Sequence, residues 1–143
     1  MLAALWRHLG WRGLALAGVG ACWIWYGVGL VVTARPGVVA AAAPVIRLMC
    51  VQGWGGVWIA CGLAGVLTAA LRPGRDLVGF AGMFLPPAVW GLAFLGSAAT
   101  GAYGTAWASA PLYLAAVLLI VVVAALTGGR RRCPCEEGAP NGH

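Results

Sequence analysis

Two apolar runs, residues 13–34 and 48–71, pass without a single charge, and residues 77–129 hold no Asp, Glu, Lys, Arg or His at all. Between them stands Arg72-Pro73-Gly74-Arg75-Asp76, where two cations, a helix breaker and a turn former interrupt the pattern. A helix needs about 20 apolar residues to cross the hydrocarbon core of a bilayer. The pattern therefore predicts an all-α, polytopic membrane protein with four transmembrane helices in a small bundle, at about 14–33, 53–71, 77–96 and 107–127.

The segments between the spans have their own signatures. Residues 1–13, with Trp6, Arg7, His8, Trp11 and Arg12, read as an interfacial lead-in whose indoles and guanidiniums suit the headgroup level. A cleaved secretory signal competes for this end, but the run is longer than the roughly 7–15 apolar residues such signals use. Arg35-Pro36-Gly37 ends the first span, and residues 38–52, broken by Pro44 and Arg47, read as a connection lying along the surface, with room for a short interfacial helix. Asp76 stands where an N-cap for the third span belongs. Pro86-Pro87 near the middle of that span removes two backbone donors, so a kink is expected there, turned toward neighbouring helices. Residues 97–106 form a small uncharged hairpin loop, and 128–143 a basic tail expected to be disordered.

Composition agrees with lipid as the solvent: 62% of the 143 residues are apolar and 8% charged, against roughly 25% charged in soluble domains. The net charge of +6 comes from nine arginines. They sit at the ends of apolar runs rather than on one face, which argues against a nucleic-acid partner and for topology determinants. With four crossings, Arg7, Arg12, Arg72, Arg75, Arg130, Arg131 and Arg132 share one side, and Arg35 and Arg47 the other. The positive-inside rule then places both termini in the cytoplasm and the protein in the plasma (cytoplasmic) membrane.

Glycine occupies 23 positions. Ala17 with Ala21, Gly56 with Ala60 and Cys61 with Gly65 are spaced four apart, a spacing that lets helix backbones approach, either inside one bundle or between copies in a homo-oligomer. Trp23, Trp25 and Tyr26 fall too deep in the first span for an interfacial belt and read as gap-filling beside glycine, with a pocket for a hydrophobic ligand as the alternative. A faint internal repeat is also present: Trp23-Ile24, Gly27, Thr33-Ala34 and Arg35-Pro36-Gly37 echo Trp58-Ile59, Gly62, Thr68-Ala69 and Arg72-Pro73-Gly74. The match needs a two-residue shift, and chance, shared helix-packing needs and true duplication all account for it.

Candidate chemistry is sparse. Ion-coupled transporters keep ionisable groups within the membrane, and none of the four spans has one. With three acids and two histidines, no acid–base or nucleophilic constellation can be assembled, so no catalytic residue, cofactor or metal site is expected. Cys133 and Cys135 are one residue apart, poorer than the paired spacing of structural zinc sites, and are equally open to modification. The chain resembles small Arg-rich four-span membrane proteins of actinobacteria and their phages. It is similar to holins, the phage proteins that open the host membrane at lysis, in size, short-looped spans and the basic tail Arg130-Arg131-Arg132. That resemblance implies a protein that self-associates in the lipid bilayer and permeabilises it. The alternative is a passive accessory or scaffold subunit packed against a larger membrane protein whose identity the residues leave open.

Reporters joined after residue 37 or 101 are expected outside the cell, and those after 74 or at the C-terminus inside. Changing Arg72 and Arg75 together to Ala is expected to loosen this topology more than changing Arg35 and Arg47; equal tolerance of both pairs refutes the anchoring role of the central turn.

Overall fold

The computed structural model describes residues 2–33, 35–71 and 77–127, with the backbone alone for 2–9. Arg72, Arg75 and the tail with Arg130, Arg131 and Arg132 lie outside the described residues, as does the side chain of Arg7. The elements are α1 (Leu2–Val32), α2 (Pro36–Ala41), α3 (Ala43–Ile46), α4 (Val51–Thr68), α5 (Leu77–Ala99) and α6 (Ala106–Thr127). No strand occurs among the described residues. Four helices are long and apolar enough to cross a membrane: Gly10–Val32, Val51–Thr68, Leu77–Ala99 and Ala106–Leu126. The chain is thus all-α, a small bundle of four membrane-length helices.

The first of these starts earlier than the charge pattern suggests. α1 is broken at Gly10, whose φ of 60° and ψ of −179° suit glycine and strain other residues. The span therefore begins at Gly10 and takes in Arg12. Arg12 is accommodated because its guanidinium donates to the Ala124 carbonyl at 3.2 Å and lies 4.4 Å from the centre of the Phe80 ring. The carbonyl belongs to the last turn of α6, where unpaired C=O groups favour a cation. One arginine thus links α1, α5 and α6 at one end of the bundle.

α1 and α4 run antiparallel and meet backbone to backbone. A Cβ placed on Gly20 would lie 2.6 Å from the Gly62 carbonyl oxygen, and one on Gly62 would lie 2.5 Å from that of Gly20. Gly27 and Gly55 repeat the arrangement at 2.6 and 2.8 Å. The flanking contacts repeat as well: Ile24 packs over Gly62 as Ile59 does over Gly27, and Val66 over Gly20 as Val31 does over Gly55. Each pair maps onto the other by a shift of 35 residues along the chain, so the two helices form an approximate two-fold antiparallel pair. The same shift relates Trp23-Ile24 to Trp58-Ile59. The faint repeat in the sequence is therefore a repeat of this contact.

α5 packs against α4 and forms a hairpin with α6. Half of its apolar stretch is buried, against 11% for α6, so α5 is the inner helix and α6 the outer one. The helix runs through Pro86 and Pro87 with both rings fully buried. The connection over residues 38–52 holds two short helices, with Pro44, Arg47 and Leu48 exposed, and its other side docks on the bundle. α2 and α3 fold onto α5, with Ala41 and Ala42 buried in one core cluster beside Trp90 and Phe94. Ser97 on α5 makes this possible. Its hydroxyl donates to the Ala41 carbonyl at 2.6 Å, which the regular helical donor, Val45 N–H, abandons for Ala42. Trp54 of α4 donates in turn to the Val45 carbonyl at 3.0 Å.

Because backbone rather than a flexible side chain faces each glycine of the α1–α4 contact, Gly27→Ala or Gly62→Ala is expected to destabilise the detergent-solubilised protein by about 1–3 kcal/mol. Gly18→Ala, where a Cβ meets nothing, should be neutral or stabilising by up to about 1 kcal/mol. Unfolding followed by loss of helical circular dichroism distinguishes the two; equal effects would show that the glycine contact does not hold the pair.

Candidate functional site

At mid-bundle, six aromatic rings from all four long helices meet: Trp23 and Tyr26 of α1, Trp58 of α4, Trp90 and Phe94 of α5, and Tyr113 of α6. Each comes from a helix face that also carries small residues. On α1, Trp23 and Tyr26 flank the line of Gly20 and Gly27, and on α4 Trp58 lies between Gly55 and Gly62. On α5, Gly91 beside Trp90 admits α6, since a Cβ there would meet the Leu114 Cδ2 at 3.2 Å and the Tyr113 Cβ at 3.4 Å. The glycines bring the backbones close, and the rings fill what remains between them.

Edge-to-face contacts dominate the cluster. Trp23 and Trp58 stand at 90° with centroids 4.9 Å apart, Tyr26 and Trp58 at 62° and 4.7 Å, and Trp58 and Trp90 at 81° and 6.0 Å. Phe94 and Tyr113 lie 5.1 Å apart. Trp58 and Trp90 are 1% and 0% exposed. Trp58 and Trp90 are a filled core, whereas Trp23 and Tyr26 are half-buried: their inner edges fill gaps in that core, and each also lines a groove on the outside of the bundle. Trp25 is different: its ring is 82% exposed on the outside of α1.

Two hydrogen bonds organise the rings. Trp23 Nε1–H donates to the Met83 carbonyl at 3.1 Å. The normal helical donor to that carbonyl would be residue 87, a proline without N–H, so the indole replaces the bond that Pro87 removes. The hydroxyls of Tyr26 and Tyr113 lie 2.7 Å apart and share a hydrogen bond between α1 and α6. The indole N–H groups of Trp58 and Trp90 have no protein partner, and each indole lies in edge-to-face contact with a neighbouring ring. The only ionisable groups among these six side chains are the two phenol hydroxyls, and these are bonded to each other.

The small residues expected to pack helices are divided by the structure. Gly65 is buried, and a Cβ there would collide with Met83; Ala17 and Cys61 are half-buried. Ala21, Gly56 and Ala60 are exposed, and a Cβ on Gly56 meets nothing within 4 Å. Gly56 and Ala60 therefore do not pack within the chain: they lie on the outer face of α4, away from Gly55 and Gly62. The glycines in the tightest helix contact are seven apart rather than four, and their signal was the 35-residue repeat, extended by Gly20 and Gly55. Of the topology determinants, Arg12 is the one whose side chain is described, and it is half-buried. Among the described residues, no three His, Cys, Asp or Glu side chains come together; Cys22 and Cys50 are exposed, and Cys133 and Cys135 lie outside the described residues.

No family model, curated protein or solved structure matches this chain.

Removing the Trp23 donor leaves a buried carbonyl unpaired, so Trp23→Phe is expected to cost about 1–2 kcal/mol. Tyr26→Phe and Tyr113→Phe should each cost about 0.6 kcal/mol, with the double variant hardly worse than either single one. A double-mutant cycle on detergent-solubilised protein measures this; strict additivity would mean that the two hydroxyls are uncoupled.

Proposed function

We propose that the chain is a multi-pass protein of the cytoplasmic membrane, with both termini in the cytoplasm, that associates with copies of itself and opens the bilayer, as holins do. It carries no catalytic or ion-coupling role on this reading. The observation behind it is Gly56. α4's other described glycines, Gly53, Gly55, Gly62 and Gly65, all lie against neighbouring atoms, whereas Gly56 faces outward into open space beside exposed Ala60. Glycine weakens a helix by about 1 kcal/mol relative to alanine, and among the described residues nothing offsets that at Gly56, just as nothing does at Gly18, Gly29 and Gly96 on the other helices. A second helix approaching this face would.

The closed interior supports the same reading. Ring packing at mid-bundle leaves a single chain no hydrated route, so permeability would arise between molecules once enough of them associate. The accessory-subunit reading has one observation of its own. A groove of about 480 Å³ runs between α1 and α6, walled by Leu14, Val19, Cys22 and Leu119, and a partner's helix is a fitting occupant.

Under induced expression in bacteria, growth is expected to continue and then membrane potential, followed with a voltage-sensitive dye, to collapse abruptly. The lag should lengthen when Gly56 and Ala60 are both changed to Leu. Absence of collapse at any expression level supports the accessory reading instead, and gradual depolarisation insensitive to the substitutions overturns self-association through this face.

A further inference from the structure

A second groove, of about 450 Å³, opens on the outside of α1 where it meets α2. Trp25, Val28, Gly29 and Val32 of α1 and Val38 of α2 line it, and Arg35 stands at its mouth. Trp25 and Val32 are seven residues apart, about 10 Å along the helix, and Arg35 follows beyond that end. The groove thus covers most of the roughly 15 Å depth of one leaflet's hydrocarbon; its lining is mainly apolar, with Tyr26 and Thr33 also contributing to it, and Arg35 is its one cation. Arg35 is exposed, while its carbonyl accepts from Val38 and Val39 N–H at 3.0 and 3.1 Å and holds the start of α2 in place. The backbone is fixed, and the exposed side chain forms part of the groove's lining.

We propose that this groove binds an anionic phospholipid, with one acyl chain along Trp25, Gly29 and Val32 and the phosphate against Arg35. The occupant follows from both ends of the groove. An anion alone would have no use for an apolar trough one leaflet deep, and an apolar partner helix would leave a guanidinium at the rim unmatched. Gly29 forms the floor: it is exposed, and a Cβ there meets nothing within 4 Å, so an acyl chain can lie directly on the helix backbone. The groove lies on α1, apart from the Gly56–Ala60 face of α4, so it stands whether or not that face mediates self-association.

Native mass spectrometry of the full chain in mild detergent, titrated with phosphatidylglycerol or phosphatidylcholine of the same acyl chains, tests the site. Phosphatidylglycerol should be retained about fivefold better, as one arginine near an anionic headgroup warrants. Arg35→Gln should abolish that preference while leaving residual binding of both lipids. Gly29→Phe, which fills the trough without touching the bundle, should lower retention of both. Arg47→Gln, at another exposed arginine outside the long helices, should change neither. Equal retention of the two lipids by the parent chain, or a preference that survives Arg35→Gln, overturns the proposal. So does displacement of phosphatidylglycerol by equimolar inorganic phosphate, which would mark an anion site without a lipid chain. Retention unaffected by Gly29→Phe likewise overturns it, by removing the groove from the binding.

Discussion

The contact on which the bundle depends is the one between the backbones of α1 and α4. Gly20 faces Gly62 and Gly27 faces Gly55, with the carbonyl of each glycine where its partner's Cβ would be. In lipid the hydrophobic effect does not drive helices together, because acyl chains are as apolar as leucine; association comes from close packing and polar links. Four hydrogen-atom side chains in register are what allow packing this close. The aromatic cluster follows from it. Trp23 and Trp58 stand 4.9 Å apart because the backbones beside them touch, and the rings then set the distance to α5 and α6.

A second constraint shapes everything beyond that pair. Each backbone carbonyl that loses its donor inside a bilayer must find another, and this chain loses several, to Pro87 and where α2 passes into α3. A side chain of a different helix makes the repair in both places: Trp23 for Met83 and Ser97 for Ala41. Arg12 does the same for the end of α6. Each of these three bonds ties a helix end or break to one particular neighbour: α5 to α1, α2 to α5 and α6 to α1. Apolar packing alone would leave those pairings far less specific.

The number and rough position of the helices were legible in the sequence because lipid tolerates few charges, so charge-free runs mark spans directly. What packs against what was less legible. A helix as rich in glycine as α4 offers small residues on several faces, and four-apart spacing selected Gly56 and Ala60, which point outward, as readily as Gly65, which points inward. The informative pattern was the repeat linking Trp23, Ile24 and Gly27 to Trp58, Ile59 and Gly62, and it becomes persuasive once Gly20 and Gly55 join it. How the segment 38–52 docks on the bundle was illegible for a different reason. Pro44 and Arg47 look like interface, but Ala41 and Ala42 are small enough to sit under α5, and Ser97, 56 positions away from Ala41, supplies the hydrogen bond that admits them. Local pattern has no means of pairing a serine with a carbonyl at that separation.

The same two constraints separate the helices by how firmly each is held. α1 and α4 are joined along their backbones, and α5 is tied to α1 through Met83 and to α2 through Ala41. α6 is the least buried of the four, and its polar links to α1 include Arg12 with Ala124 at one end and Tyr26 with Tyr113 at mid-bundle. Those links are single hydrogen bonds, worth about 0.6 kcal/mol each on average between membrane helices, whereas separating α1 from α4 exposes a whole glycine seam. α6 is held chiefly along α5, with which it forms a hairpin and where Gly91 lies against Tyr113 and Leu114. The bundle is thus two close helix pairs, α1 with α4 and α5 with α6, joined by the aromatic core and by single hydrogen bonds between them.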